Sequence, residues 1–182
     1  MPEGRSSYDA TAKLLHWLIA ALLLGQLALG WLMPEVRRDM TPGTAMNVHM
    51  SIGVVVLALI VVRLLWRLAY AVAPDATLPA WQRTSAEAVH WLLYLLVLVT
   101  TFTGWFYASM RGWTVALFSL FPLPALTQEG SPLGRTLGRL HEGVTAVLAT
   151  VIGLHVAAAL VHLFVYRDEV MQRMLPGRLA KR

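Results

Sequence analysis

The chain has 182 residues and a net charge of +5; it is 57% hydrophobic and only 14% charged. Soluble domains usually carry about 25% charged residues, so this composition favours a membrane protein. The aromatic residues lie in apolar segments rather than among basic ones, which argues against nucleic-acid binding. There is no cysteine, which excludes disulfide bonds, iron–sulfur clusters and thiolate metal ligands.

Four segments approach or exceed the roughly 20 apolar residues that cross a bilayer. None alternates as the strands of a membrane barrel would over about 10 residues, so all four predict helices. We expect the first to remain as an uncleaved anchor, because it is too long for a signal peptide and lacks an A-x-A exit. The sequence therefore predicts an all-α fold, a transmembrane four-helix bundle forming one domain over residues 1–182. The spans are expected at about 14–33, 48–68, 88–110 and 143–166.

The connection between the third and fourth spans is long and begins with the apolar stretch GWTVALFSLFPLPAL. Pro122 and Pro124 interrupt this stretch, so it is too broken to cross the bilayer as a helix. We expect residues 112–126, approximately, to form an interfacial segment over the outer face of the bundle.

Lysine and arginine predict the orientation, since cytoplasmic loops of membrane proteins are enriched in them. Ten of the fifteen lie on the side of the two termini and of the loop after span two, so both termini are predicted to be cytoplasmic. The ten are Arg5, Lys13, Arg63, Arg67, Arg83, Arg167, Arg173, Arg178, Lys181 and Arg182; the other five are Arg37, Arg38, Arg111, Arg135 and Arg139.

All six histidines lie in or at the edge of a predicted span, where ionisable side chains are costly and usually functional. His141 and His155 are fourteen residues apart, which is about 21 Å along a helix and nearly the same helix face. His49 opens span two at the depth of His141, and His16 opens span one near the depth of His155. These depths predict the pairs His49–His141 and His16–His155, although depth alone leaves His90 as an alternative to His16.

Each predicted pair can hold a flat macrocycle between two helices. Haem b forms no covalent bond to the protein and needs two neutral imidazoles and an apolar slot, so the pairs favour two haem b groups that conduct electrons. For a single histidine the alternative is a hydrogen bond between helices. A zinc site is disfavoured because clusters of three or four ligands are missing, and Glu142 beside His141 is interpreted as a solvated charge. Six glycines could let a ring approach the backbone: Gly25, Gly30, Gly53, Gly104, Gly143 and Gly153.

Further polar groups are predicted beside the inner pair, namely His90, His162, Arg63 and Arg67. Such groups next to a lipid-accessible slot can donate hydrogen bonds and protons to a quinone. The alternative is that the arginines pair with haem propionates or extend to the interface, and that the histidines cap helix ends. At the outer end, the arginines could steer a small anion or bind propionates.

Four stretches resemble a known family: YDATAKLLHWLIAALL, NVHMSIGVVVLALIVVRLLWRL, HWLLYLLVLVTTFTGW and LHEGVTAVLATVIGLHVAAALVHLF. They are similar to the four helices of the bacterial cytochrome b561 family, over nearly the whole chain. The resemblance implies a multi-pass protein of the bacterial inner membrane that binds two b haems. It also implies that His16, His49, His141 and His155 are the axial ligands, which decides for His16 over His90.

The family offers two kinds of function. Short stand-alone members resemble the superoxide oxidase type, an enzyme that oxidises superoxide at the periplasmic face and reduces ubiquinone. Others are haem-b relay subunits that pass electrons between a partner dehydrogenase or hydrogenase and quinone. We expect the first kind, with membrane lipid, ubiquinone and superoxide or another periplasmic donor as partners. A metal transporter without a redox cofactor is a further alternative, which histidine pairs near opposite membrane faces disfavour.

Overall fold

The computed structural model describes residues 8–34, 36–37, 40–73 and 77–175. All four long helices are long and apolar enough to cross a membrane, which confirms the predicted transmembrane four-helix bundle. A π-helical turn continues the last helix, and an antiparallel two-stranded hairpin lies in the third connection. The helices are α1 (Ala10–Leu32), α2 (Thr44–Ala69), α3 (Ala80–Met110) and α4 (Pro132–Val161); the π-helical turn is His162–Tyr166, and the strands are β1 (Ala116–Leu117) and β2 (Phe121–Pro122).

All four helices begin before the spans predicted for them, α3 and α4 by the most, and in α1 and α4 a polar capping residue precedes the apolar segment. Asp9 is the N-cap of α1 and accepts a hydrogen bond from the Ala12 N–H at 2.8 Å. Ser131 is the N-cap of α4, and Pro132 occupies the first turn, where its missing N–H costs nothing. A hydropathy criterion detects the apolar part of a helix and not these capped first turns.

The helices pack as two pairs, α1 along α2 and α3 along α4, with α2 also against α3. Small residues bring α4 close to α3, since a Cβ atom at Gly138 would overlap the ring of Tyr107 and one at Gly134 would overlap Met110. Within the described parts of the chain, α4 makes no comparable backbone contact with α1 or α2. α4 therefore meets the α1–α2 pair through side chains, such as those around Leu148, rather than by a close approach of the backbones.

The middle of the bundle is a layer of buried apolar side chains. Leu148 and Val56 are the most buried of them, each with only 1% of its surface exposed. Leu148 lies midway between His141 and His155 on α4. The layer therefore separates the histidines at the two ends of the bundle. Its other members are Ile19, Ile60, Tyr94, Leu96 and Val97.

We call the end of the bundle that holds residues 33–43 and 111–131 the loop face. The hairpin closes it by docking on Ser51 of α2, whose Oγ lies 2.9 Å from the Ala116 carbonyl oxygen and accepts from the Phe118 N–H at 3.0 Å. The segment predicted as interfacial thus folds over the beginning of α2, next to His49.

We call the opposite end, with residues 8–13 and 167–175, the terminal face. The segment that follows α4 crosses this face and contacts α1, where Trp17 Nε1 donates to the Met174 carbonyl at 2.9 Å. Lys13 Nζ donates to the Leu175 carbonyl at 3.0 Å. Of the lysines and arginines counted for the orientation, five lie outside the described residues: Arg5, Arg38, Arg178, Lys181 and Arg182.

Candidate functional site

Two pairs of imidazole rings face each other between α4 and the α1–α2 pair. Towards the loop face, the ring centroids of His49 on α2 and His141 on α4 are 6.4 Å apart, with the rings at 89° to each other. Towards the terminal face, the centroids of His16 on α1 and His155 on α4 are 6.3 Å apart, with the rings at 74°. The structure therefore brings together both pairs that the sequence predicted.

The separation within each pair fits two imidazoles on opposite sides of one metal ion. Metal–nitrogen bonds of about 2 Å place the two ring centroids about 6 Å apart. Each pair offers two nitrogens, as an iron already held by the four nitrogens of a porphyrin requires. The described residues contain no group of three or more histidine, cysteine, aspartate or glutamate side chains arranged to hold a metal ion by themselves. The donor set thus suits an axially ligated haem.

Helix α3 orients the ring of His141. Nδ1 of His141 lies 2.8 Å from the carbonyl oxygen of Thr100, which can only accept, so Nδ1 carries the proton. This leaves the lone pair of Nε2 for a metal, the usual arrangement of a ligating histidine. Gly104 makes room for the ring, since a Cβ there would lie 2.9 Å from His141 Cε1.

His49 lies against α1. Gly30 faces its ring, because a Cβ at Gly30 would lie 3.7 Å from His49 Cε1. Gln26, one turn earlier on the same helix, donates from Nε2 to the backbone carbonyl of His49 at 2.8 Å. Both His49 Nδ1 and Gln26 Oε1 are buried and have no hydrogen-bond partner within the described structure. A donor and an acceptor are thus left over on two residues that already touch.

Three imidazoles meet near the terminal face. His90 on α3 has its ring centroid 5.5 Å from that of His155, at 70°. This is shorter than the separation in either pair, whereas His16 lies at the pair distance from His155. Both rings thus lie near the separation of about 6 Å from His155 that two ligands of one metal ion need, and His16 matches the 6.4 Å of the other pair more closely.

Arg63 and Arg67 of α2 lie at the same end of the bundle. Arg63 Nη1 donates to the Ala12 carbonyl at 2.6 Å and so ties α2 to the beginning of α1. The Arg67 guanidinium lies 5.2 Å from the ring centroid of Trp91 and 5.8 Å from that of Tyr94, a cation–π arrangement. Both aromatic residues are neighbours of His90 on α3, so Arg67 and His90 belong to one polar region.

His162 lies in the π-helical turn, where its ring contacts Tyr166. Its Nδ1 is 2.6 Å from Asp168 Oδ2, and the other carboxylate oxygen accepts from the Val170 N–H at 3.1 Å. The side chains of His162 and Asp168 are 16% and 26% exposed, so the pair is open to the terminal face. The described contacts of the His162 ring are with Asp168 and Tyr166, and not with His90.

The side chain of Arg111 lies on the loop face. Arg111 donates from Nη2 to the carbonyl oxygens of Arg37 and Met40, and its guanidinium lies 4.8 Å from the ring centroid of Trp113. Beside it, a cavity of about 670 Å³ is lined by Trp105 and Ser109 of α3 and by residues 112–115 and 123–129. A cationic side chain therefore stands near an opening on the loop face.

Sequence reasoning missed three groups of the site. The role of Gln26 could have been predicted, because a lone amide within an apolar span usually forms a hydrogen bond to a neighbouring helix. The role of the Thr100 carbonyl could not, since every residue has a backbone carbonyl. Asp168 could not be linked to His162 by helical spacing, because the chain leaves the helix at Arg167, whose φ is 54°.

Comparison with known proteins adds to this geometry. Residues 7–177 match the family model described as prokaryotic cytochrome b561. The chain is 29% identical over 172 residues to cytochrome b561 homolog 2 of Escherichia coli (strain K12), covering 92% of this chain and 90% of that protein. It is 31% identical over 169 residues to the protein of Yersinia pestis named probable superoxide oxidase CybB, covering 90% and 93%. Cytochrome b561 homolog 1 of Escherichia coli (strain K12) is 25% identical over 181 residues, covering 94% and 98%.

Proposed function

Because the chain belongs to the prokaryotic cytochrome b561 family, we propose that it oxidises superoxide at the loop face and reduces ubiquinone near the terminal face. Family membership makes it a multi-pass inner-membrane protein that transfers electrons across the membrane with b-type haem. The observation that carries the proposal is the placement of two imidazole pairs at opposite ends of an apolar layer. A haem held by each pair would supply an iron that gains and loses one electron at a time.

In this proposal His49 and His141 would hold one haem towards the loop face, and His16 and His155 would hold the other towards the terminal face. Their rings already stand at the separation that two ligands of one iron need. The buried layer around Leu148 keeps water and protons out of the region between the pairs. Electrons that pass between haems held by the two pairs would therefore cross this region without protons.

Superoxide as the donor is supported by the relative in Yersinia pestis that is named a probable superoxide oxidase. Superoxide is a small anion that gives one electron and becomes O₂, so no proton acceptor is needed where it reacts. The arginines of the loop face would attract such an anion. Arg111 is fixed in place there by the Arg37 and Met40 carbonyls.

The charge distribution supports a periplasmic loop face. Ten of the fifteen lysines and arginines belong to the terminal side, and the more basic side of an inner-membrane protein is cytoplasmic. Superoxide in the periplasm would then meet the loop face, and electrons would move towards the cytoplasmic side.

Quinone reduction is proposed beside His90. Two superoxide anions supply two electrons, and ubiquinone takes up these electrons with two protons to form ubiquinol. His90 and Arg67 offer N–H donors for the carbonyl oxygens of the quinone. Asp168 holds the Nδ1–H of His162, so a proton taken up from the terminal face is released from the opposite nitrogen, Nε2.

The test is an assay of the purified protein. We expect two haems per chain by pyridine haemochrome, and one short-chain ubiquinone reduced for every two superoxide anions supplied by an enzymatic source. Added superoxide dismutase should abolish the reduction, and His49→Ala should reduce it strongly because the entry site for electrons is lost.

Two results would contradict the proposal. A protein with two haems that does not reduce ubiquinone with superoxide would favour a relay between a partner dehydrogenase or hydrogenase and quinone. A colourless protein from haem-replete cells would overturn the assignment of the histidine pairs.

A further inference from the structure

Gln26 places an amide deep in the apolar part of α1, where a polar group is costly unless it is hydrogen-bonded. Its Nε2 donates to the backbone carbonyl of His49 at 2.8 Å. Gly53, one turn after His49 on α2, lies beside the amide, since a Cβ there would be in ordinary contact with Nε2 at 3.5 Å. The amide is thus seated against the helix turn that carries a proposed haem ligand.

One atom of this amide is left without a role in the fold. Gln26 Oε1 is buried without a partner, and so is His49 Nδ1, among the residues that the structure describes. The two atoms are complementary, because the amide oxygen can only accept and Nδ1 carries a proton when Nε2 binds a metal. With the amide turned the other way, Gln26 Oε1 would face the carbonyl oxygen of His49, and two acceptors would repel each other. The hydrogen bond from Nε2 therefore fixes Oε1 as the amide atom without a partner.

The ring of His49 faces the surface of α1 that carries Gln26. Its Cε1, which lies between the two ring nitrogens, is the atom nearest to a Cβ built at Gly30. Gly30 is one helical turn from Gln26 and on the same face. The ring of His49 therefore lies against the face of α1 from which Gln26 projects.

We propose that Gln26 is a positioning residue for the haem ligand His49: its Oε1 accepts the Nδ1–H of His49 when His49 Nε2 binds iron. The proposal rests on the proposed function, which makes His49 a ligand. Ligating histidines nearly always donate their second ring N–H. On the other side of the same site, the Thr100 carbonyl already fills this role for His141. Gln26 supplies the missing counterpart.

An acceptor on Nδ1–H makes the imidazole a stronger electron donor, which favours the oxidised iron and lowers its midpoint potential. Unlike the Thr100 carbonyl, this acceptor belongs to a side chain and can be removed by substitution. The second haem of the same molecule provides an internal control.

The experiment measures the midpoint potentials of both haems in Gln26→Leu and Gln26→Glu, together with the rate of haem loss to apomyoglobin. Gln26→Leu should raise the potential of one haem, leave the other unchanged and weaken haem binding on the order of 10- to 100-fold. Gln26→Glu keeps an acceptor oxygen, so the potential should stay at or below that of the parent. If Gln26→Leu does not accumulate, Gln26→Met carries the same prediction.

Two further results distinguish a failure of this inference from a failure of the proposed function. Unchanged potentials and haem retention in Gln26→Leu, with only a lower thermal stability, would assign Gln26 to helix packing and overturn the inference. His49→Ala must lose one haem; if it keeps both, His49 is not a ligand and the proposed function fails as well.

Discussion

His155 is the residue on which the inner site depends, because its ring lies within reach of both His16 and His90. We expect His155→Ala to lose the inner haem and to keep the outer one, so that haem per chain falls to roughly half. The reason is that an imidazole on α4 is the ligand that both alternatives share. Pyridine haemochrome and the reduced spectrum measure the loss.

The matched variants His16→Ala and His90→Ala decide between the two remaining imidazoles. We expect His16→Ala to lose the inner haem and His90→Ala to keep both, since the His16–His155 separation of 6.3 Å matches the 6.4 Å of the outer pair more closely than the 5.5 Å of His90–His155. The opposite outcome would make His90 the ligand and remove it from the quinone site.

Asp168 and His162 form the proposed route for protons to the quinone. We expect His162→Ala to slow ubiquinone reduction by about 100-fold or more, the usual contribution of a positioned acid or base, and Asp168→Asn to slow it in the same direction by less. Both variants should keep two haems and normal haem reduction by superoxide, measured in a stopped-flow spectrometer. Loss of a haem in His162→Ala would show that the histidine pairs have been assigned wrongly.

At the scale of elements, α3 controls the outer site through one glycine. A Cβ at Gly104 would lie 2.9 Å from His141 Cε1, so Gly104→Ala forces the ring away from its place opposite His49. We expect a disturbed or lost outer haem and a destabilisation of about 1–3 kcal/mol, as for other overpacked sites. Thermal unfolding and the haem spectrum are the measurements.

Gly43→Ala, just before α2, is the control, because a Cβ at Gly43 meets nothing within 4 Å. It should keep the spectrum and the stability of the parent. Equal effects of the two substitutions would mean that the loss of glycine flexibility, and not contact with the ring, is responsible.

Helical periodicity and depth were enough to predict the four helices and the pair His49–His141, whereas only the family resemblance decided for His16 over His90 as the partner of His155. This worked because fourteen residues on α4 return His141 and His155 to one face, and lipid forces each span to be a regular helix. The rotation of each helix was beyond that reasoning, since Gly134 and Gly138 set it by letting α4 approach α3. The neighbourhood of His90 and the pairing of His162 with Asp168 depend on this rotation and on a turn after the helix.

At the scale of the whole molecule, the hairpin covers the loop face and the segment after α4 covers the terminal face. Which face lies on which side of the membrane can be tested directly. The sequence has no cysteine, so an introduced thiol is unique. We expect Ser119→Cys, at the exposed tip of the hairpin, to react with a membrane-impermeant maleimide in intact cells. Glu169→Cys, exposed on the terminal face, should react only after the inner membrane is disrupted. The reverse pattern would place the loop face in the cytoplasm and overturn the proposed orientation.

The apolar layer around Leu148 and Val56 has an electrical consequence. It spans most of the insulating thickness of the bilayer, since about 21 Å along α4 out of about 30 Å of hydrocarbon separates the two pairs. Moving one elementary charge across the whole bilayer takes about 2.3 kcal/mol per 100 mV of membrane voltage. Electron transfer between the two pairs covers about two thirds of that distance and so corresponds to about 1.6 kcal/mol per 100 mV. With the loop face outside, electrons move against the negative interior of an energised cell. Turnover should therefore slow as the membrane voltage rises and recover when an uncoupler collapses it.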